Sequence, residues 1–207
     1  MGVKPRAYNS PERDERANAT RRRILEAAAK LFAERGFAGV TMRGIAHGAA
    51  VSLATVYLYF PGKPALVAGL VDEVVSSGDL SVERVEAEAA PVEQLRTAAH
   101  IIRMLNERSW LVVSILRSAH GIDDELSDAW RLWQLGHLHA VQRAITALEH
   151  TGALRAGLMP EDAVDIAYAL AGTDVYRALV RERGWSHDRY EAWLLDVAQR
   201  ELLSATG

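Results

Sequence analysis

Residues 41–63, TMRGIAHGAAVSLATVYLYFPGK, are the stretch that decides the fold. Thr41 and Ser52 favour helix N-caps, so we expect one helix from Thr41 through about Gly48 and another from Ser52 to just before Pro61. Each helix has about seven or eight residues and is too short to be stable alone. Two such helices joined by a short turn and packed on a third form a helix-turn-helix unit. A plain helical corner in an all-α enzyme is the alternative.

The rest of the chain also indicates helices. Residues 20–35 carry one apolar face and end at Gly36, and they supply the third helix of the unit. Pro64 suits the first turn of a fourth helix, which we expect to stop near Gly78. After an acidic connector at 79–90, the 3.6-residue apolar period predicts helices at about 91–107, 109–119, 123–151, 160–183 and 187–204. We therefore predict an all-α protein of about nine helices.

The domain organisation follows from these segments. We predict a flexible basic arm at 1–19, a helix-turn-helix domain at 20–63, a connecting helix at 64–78 and a larger helical domain at 79–207. Residues 1–63 hold 11 Lys/Arg and 5 Asp/Glu, whereas residues 64–207 hold 13 and 22. A basic end joined to an acidic body hints at nucleic-acid binding, although a chance split over a solvated surface has the same form.

Composition excludes several classes of protein. Of the 207 residues, 49% are apolar and 25% charged, which is typical of a globular protein. The absence of cysteine excludes disulfides, thiolate nucleophiles and cysteine zinc sites. No secretory signal and no run of about 18 apolar residues occur, so we expect a soluble cytoplasmic protein without membrane contact. Without a phosphate loop, G-x-S-x-G or H-E-x-x-H motif, we predict no enzyme activity, cofactor or metal.

The outward positions of residues 41–63 are suited to DNA. Hydroxyl groups are concentrated in the second short helix, on Ser52, Thr55, Tyr57 and Tyr59. Thr41 and Lys63 lie at the N-termini of the flanking helices, where free backbone N–H groups favour a phosphate, and Arg43 adds a positive charge. Such donors commonly clamp the DNA backbone, whereas base edges are contacted from within the groove.

The same stretch, together with LEAAAKLFAERGF at 25–37, resembles the DNA-binding domain of TetR-family transcriptional regulators. The resemblance implies that Thr41 and Lys63 hold phosphates and that Tyr57 and Tyr59 reach phosphate or sugar. It also implies that Ser52, Ala54 and Thr55 face the base edges. For Arg43 it implies a contact to a base or to the DNA backbone.

Four positions depart from the family pattern. Ala50 stands where glycine is usual in the turn, which predicts either a strained alanine or a different turn angle. Leu53 replaces a commonly polar residue and Ala54 stands where glycine is frequent, so these two are expected to contact thymine methyl groups instead of forming hydrogen bonds. Leu58 replaces a common aromatic residue. DNA shape is therefore expected to carry more of the specificity.

The larger domain offers candidates for ligand binding and dimerisation. A wall for a flat or apolar ligand is predicted from Trp110, Trp130, Trp133 and His137. For any one of these residues, and most of all for His137, ordinary core packing is the commoner explanation. The last two predicted helices carry small residues that allow close helix approach, either in a dimer or within the protomer. These residues are Ala163, Ala167, Ala171 and Gly172. The resemblance implies a homodimeric repressor that binds a palindromic operator and is released by a small molecule. The alternatives are a DNA-binding protein without ligand response and a helical enzyme or adaptor.

Overall fold

The protein is built from helices, in a computed structural model that describes residues 11–75, 81–119, 121 and 124–204. The helices are α1 (Pro11–Arg35), α2 (Met42–Gly48), α3 (Leu53–Tyr59), α4 (Lys63–Val75), α5 (Glu83–Glu86), α6 (Pro91–Ala119), α7 (Asp124–His150), α8 (Pro160–Ala171), α9 (Thr173–Tyr176), which continues as a π-helical stretch (Arg177–Glu182), and α10 (His187–Leu202). Within the described ranges the only β pairing is an isolated antiparallel bridge between Leu154 and Leu203. The predicted all-α fold class is confirmed.

The chain divides into two compact units, an N-terminal unit (Met1–Leu70) and a C-terminal unit (Val71–Gly207). In the N-terminal unit α2 packs against both α1 and α3. The apolar side chains that face this packing are fully or almost fully buried. They include Ile24, Leu25, Ala28, Phe32, Ile45, Ala46, Val56, Phe60, Leu66 and Val67. Burial of this shared core stabilises helices that are too short to persist alone.

Helix α1 is longer than predicted. It begins at Pro11 rather than near Thr20, so the prediction of a flexible arm is wrong for residues 11–19, while residues 1–10 lie outside the described part. Proline suits the first turn of a helix, and the following Glu, Arg and Ala residues are good helix formers. The Thr20 hydroxyl also donates to the Arg16 carbonyl oxygen at 2.9 Å. Helix α4 ends at Val75 in the structure, and its predicted end near Gly78 is not among the described residues.

The turn between α2 and α3 contains a strained alanine. Ala50 has a φ of 52°, the one positive value at a described non-glycine residue. It closes α2 in a Schellman arrangement, because the N–H of Val51 bonds the Ala46 carbonyl at 3.0 Å and the N–H of Ala50 bonds the His47 carbonyl at 3.1 Å. A left-handed conformation is costly for any residue with a Cβ. The first of the two sequence-based expectations for Ala50, strain, is therefore confirmed.

In the C-terminal unit α6 packs against α7 and α10, and α8 packs against α7. The prediction of separate helices at 91–107 and 109–119 is wrong, because α6 runs unbroken through both. The polar residues of this region interrupt the apolar pattern, yet Asn106 and Ser109 are buried inside the unit. No glycine or proline follows Pro91 within α6, so nothing in the backbone ends the helix.

The predicted helix at 160–183 is divided into three pieces. Gly172 has a ψ of 141°, which ends α8 and starts α9, and α9 then widens into the π-helical stretch. A Cβ at Gly172 would lie 3.2 Å from the Ala169 carbonyl oxygen, so the chain is tight at this point. Ala163 and Ala171, two of the small residues expected to allow close approach, are buried in the core of the protomer itself.

In the described part of the chain, no helix combines the length and apolar character needed to span a bilayer.

Candidate nucleic-acid interface

Helix α3 is capped as the sequence predicts. The Ser52 side chain accepts a hydrogen bond from the backbone N–H of Thr55 at 3.0 Å, with Ser52 itself in an extended conformation. The Ser52 and Thr55 hydroxyl oxygens are also 2.7 Å apart and hydrogen-bonded. One hydroxyl hydrogen is used within this pair, and the other is available to a partner outside the protein.

The solvent-facing side of α3 is formed by three residues. Tyr57 is 50% exposed and Leu58 82% exposed, and Ala54 is exposed as well. Positions 54, 57 and 58 follow helical spacing, so they lie on one face. The opposite face is anchored by Val56, which is fully buried. A seven-residue helix with one anchored face and one exposed face can enter a groove of DNA.

Leu58 also lies on this face, although it was not among the DNA contacts predicted from the sequence. Its exposure is unusual for leucine, and its place beside Ala54 and Tyr57 makes it a contact candidate. The signal was present in the sequence, since a residue four positions after Ala54 falls on the same side of a helix. Tyr59, which was expected to reach the DNA, is half-buried and lies off this face.

The N-terminus of α2 carries the second group of predicted contacts. Thr41 is the N-cap, and its side chain accepts from the backbone N–H of Gly44 at 3.1 Å. Thr41 and Arg43 are both exposed. The remaining N–H groups of the first turn are free of helical partners, as at any helix start, and they suit an anion.

Lys63 begins α4, as predicted, but its side chain also has an internal role. The ammonium Nζ donates to the Phe37 carbonyl oxygen at 2.7 Å and lies 4.5 Å from the centre of the Phe37 ring. Lys63 therefore ties α4 to the turn that follows α1. An ammonium group has three donors, so this bond leaves two for a phosphate.

The four residues of the predicted ligand wall lie on α6 and α7. Trp110 of α6 packs on Tyr176, with ring centres 6.4 Å apart. His137 of α7 packs on Tyr168 at 4.9 Å, and burial lowers the pKa of His137. Trp130 and Trp133 are half-buried on the same helix. The ligand role of these four residues stays a prediction.

A cavity that the sequence analysis missed lies elsewhere in the C-terminal unit. It has a volume of about 60 Å³ and is lined from α5, α6, α7, α8 and α10, without any of the four predicted residues. The signal for it was a set of alanines on separate helices. These are Ala98, Ala99, Ala144, Ala167, Ala171 and Ala198.

The N-terminal unit matches a known protein family, and most of the chain is similar to a known regulator. Residues 24–70 match the family described as "Bacterial regulatory proteins, tetR family". The uncharacterized HTH-type transcriptional regulator YdeS of Bacillus subtilis is 29% identical over 167 residues, which cover 80% of this chain and 81% of YdeS.

Two solved structures share the fold over most of the chain. The complex of SmeT with triclosan superposes with a TM-score of 0.74 at 22% identity, covering 90% of this chain and 93% of SmeT. SmeT is described as the repressor of a multidrug efflux pump of Stenotrophomonas maltophilia. AibR, in complex with isovaleryl coenzyme A and operator DNA, superposes with a TM-score of 0.67 at 20% identity, covering 86% of this chain and 97% of AibR.

The family match covers the helices whose caps, turn and exposed face are described above, and YdeS extends the likeness to most of the chain. Residues 24–70 thus match the tetR family of bacterial regulatory proteins, and most of the chain is similar to an HTH-type transcriptional regulator, in agreement with the resemblance found in the sequence.

Proposed function

We propose that the protein is a homodimeric repressor that binds a palindromic operator through α3 and is released by a small molecule. The single observation that carries the DNA-binding part is the exposed face of α3, where Tyr57 and Leu58 project from a helix anchored by Val56. A regulator of this kind acts in the bacterial cytoplasm, where its operator lies.

The chemistry of the interface supports two kinds of contact. The Ser52–Thr55 hydroxyl pair and Tyr57 offer polar groups, while Ala54 and Leu58 offer apolar surface to thymine methyl groups. Arg43, Lys63 and the N-termini of α2 and α4 supply positive potential to phosphates.

A homodimer provides the symmetry that operator recognition needs. Two helix-turn-helix units contact half-sites about 34–36 Å apart, one turn of the duplex. For the dimer interface we favour the outer faces of α8 and α10. Val164, Tyr168 and Val197 are half-buried there within the protomer and keep apolar area for a second copy. The buried alanines of the same helices serve the protomer's own core.

Ligand response is proposed to act through α4. The boundary between the two units falls within this helix, between Leu70 and Val71. A small molecule that binds the C-terminal unit better in one position of α4 than in another would change the distance between the two α3 helices. AibR with its acyl coenzyme A and SmeT with triclosan are regulators of this fold that have been captured with small molecules, which supports the proposal.

Selection of bound sequences from a random DNA pool tests this function. We expect an inverted repeat whose half-site centres lie about 10 base pairs apart. The double variant Thr55→Ala with Tyr57→Phe should lose operator affinity while the dimer persists in size-exclusion chromatography. Failure to enrich any sequence, or full affinity of the double variant, contradicts the assignment of α3 as the recognition helix.

A further inference from the structure

The cavity of the C-terminal unit arises from the placement of small side chains. Six alanines on four helices border a volume of about 60 Å³ that leucine or isoleucine at the same positions would fill. Protein cores are ordinarily close-packed, so an apolar void of this size is a defined feature. It is also smaller than the ~300 Å³ at which pockets for drug-sized ligands begin. A ring-sized ligand must therefore part the lining helices, which links its binding to a conformational change.

The lining limits the chemistry of an occupant. Among the described residues that border the cavity, Gln94 of α6 is the one polar residue, and the others are apolar. No ionisable side chain is part of this lining. Because a buried charge without a partner is strongly unfavourable, the part of a ligand that enters must be neutral.

Gln94 supplies one directional contact. It is only 4% exposed, and its Nε2 donates to the Glu88 carbonyl oxygen at 2.9 Å. Since a carbonyl only accepts, this bond fixes which end of the amide is oxygen and which is nitrogen. The other end, Oε1, is buried and has no hydrogen-bond partner in the described structure. Buried polar atoms are nearly always paired, so an unpaired acceptor on a residue that lines the cavity points to a missing donor.

We propose that this cavity is the effector site and that Gln94 Oε1 accepts a hydrogen bond from the effector. The effector is then a small, neutral, mainly apolar molecule with one O–H or N–H group. The inference rests on the proposed function, in which the C-terminal unit binds a small molecule, and it assigns the place and the ligand class. Trp110, Trp130, Trp133 and His137 are then packing residues rather than the ligand wall.

Phenol and toluene form a matched pair of probes, because they share one shape and differ in a hydroxyl against a methyl group. Toluene is the more hydrophobic molecule and would be preferred by a purely apolar cavity. Isothermal titration of the full chain should instead show phenol binding at least tenfold more tightly than toluene. Equal affinities, a preference for toluene, or no binding of either probe overturns the inference.

Three variants test whether the two probes bind in the cavity. Gln94→Met keeps a side chain of similar length without the acceptor, so the preference for phenol should disappear. Gln134→Met makes the same change at an exposed position of α7 and should keep the preference. Ala198→Val fills part of the cavity and should weaken both probes, a result that does not depend on the folding of the Gln94 variant. Phenol preference that survives Gln94→Met, or probe affinities unchanged by Ala198→Val, contradicts the site.

Operator binding measured on the same samples separates the two proposals. Operator binding without the phenol preference leaves the DNA-binding function in place and rejects this site. A Gln94-dependent phenol preference in a chain that binds no operator supports the site and rejects the proposed function.

Discussion

The hydroxyl oxygens of Ser52 and Thr55 lie 2.7 Å apart across the first turn of α3, and the Ser52 oxygen also caps the Thr55 backbone N–H. The two side chains therefore have different structural roles. The Ser52 hydroxyl caps the N-terminus of α3, whereas the Thr55 hydroxyl is hydrogen-bonded to the Ser52 hydroxyl and caps no backbone group among the described residues.

This difference predicts different results for the two alanine variants. Ser52→Ala should lower the free energy of unfolding by about 1 kcal/mol, because it removes the N-cap. Thr55→Ala leaves the cap in place and should cost less stability while still lowering operator affinity. Thermal unfolding and DNA titration measure the two effects. Equal losses of stability in both variants would contradict the division of roles.

The strain at Ala50 predicts a stabilising substitution. Ala50→Gly should raise the free energy of unfolding by about 1 kcal/mol, since glycine adopts the positive φ of 52° without steric cost. Ala33→Gly, an exposed position near the end of α1, is the matched control and should reduce stability. Chemical denaturation compares the two. A loss of stability in both variants would mean that the turn does not strain the alanine.

Lys63 and Arg43 are both cations of the proposed interface, and among the contacts of the described residues only Lys63 has an internal partner. Lys63→Gln should lower the free energy of unfolding by about 1 kcal/mol, because the bond to the Phe37 carbonyl and the ring contact are weakened. Arg43→Gln should leave stability unchanged and reduce the slope of log affinity against log salt by about 1. Salt-dependent DNA titrations and unfolding curves test the pair. An Arg43 variant with an unaltered salt slope would remove Arg43 from the phosphate contacts.

Burial of His137 predicts a pH dependence of stability. Its folded-state pKa lies below the ordinary value of 6.5, so the unfolded chain binds the proton more readily. Above about pH 6.5 His137 is neutral in both states, and stability is lost as the pH falls below that value and through the lower folded-state pKa. His137→Phe keeps a ring against Tyr168 and should flatten the pH profile of the melting temperature between about pH 5 and 7. His139→Phe, at an exposed position, should keep the slope of the unaltered protein, and a slope unchanged in both variants would rule out His137 as its source.

The N-terminal unit was predictable from sequence because its signals are local. N-caps at Thr41 and Ser52, a proline after α3 and a 3.6-residue apolar period are read along a single segment. The start of α1 was missed because a polar helix carries little apolar period, although its residues are good helix formers.

The candidate ligand site was not predictable in the same way. Aromatic residues attracted attention in the sequence, yet the void is bordered by alanines whose proximity depends on how five helices pack. Gln94 looks like an ordinary helix residue until its burial and its unpaired oxygen are known. Such features depend on tertiary packing and cannot be predicted from a pattern along the sequence.

The proposed placement of α3 in a DNA groove can be tested directly, because the chain contains no cysteine. A single Leu58→Cys variant, coupled to an iron chelate that cleaves nearby DNA, reports where this face of α3 lies on a selected operator. We expect two clusters of cleavage, one in each half-site, and none from the cysteine-free protein treated with the same reagent. Undiminished operator binding with no cleavage above that background would place Leu58 away from the duplex and contradict the account.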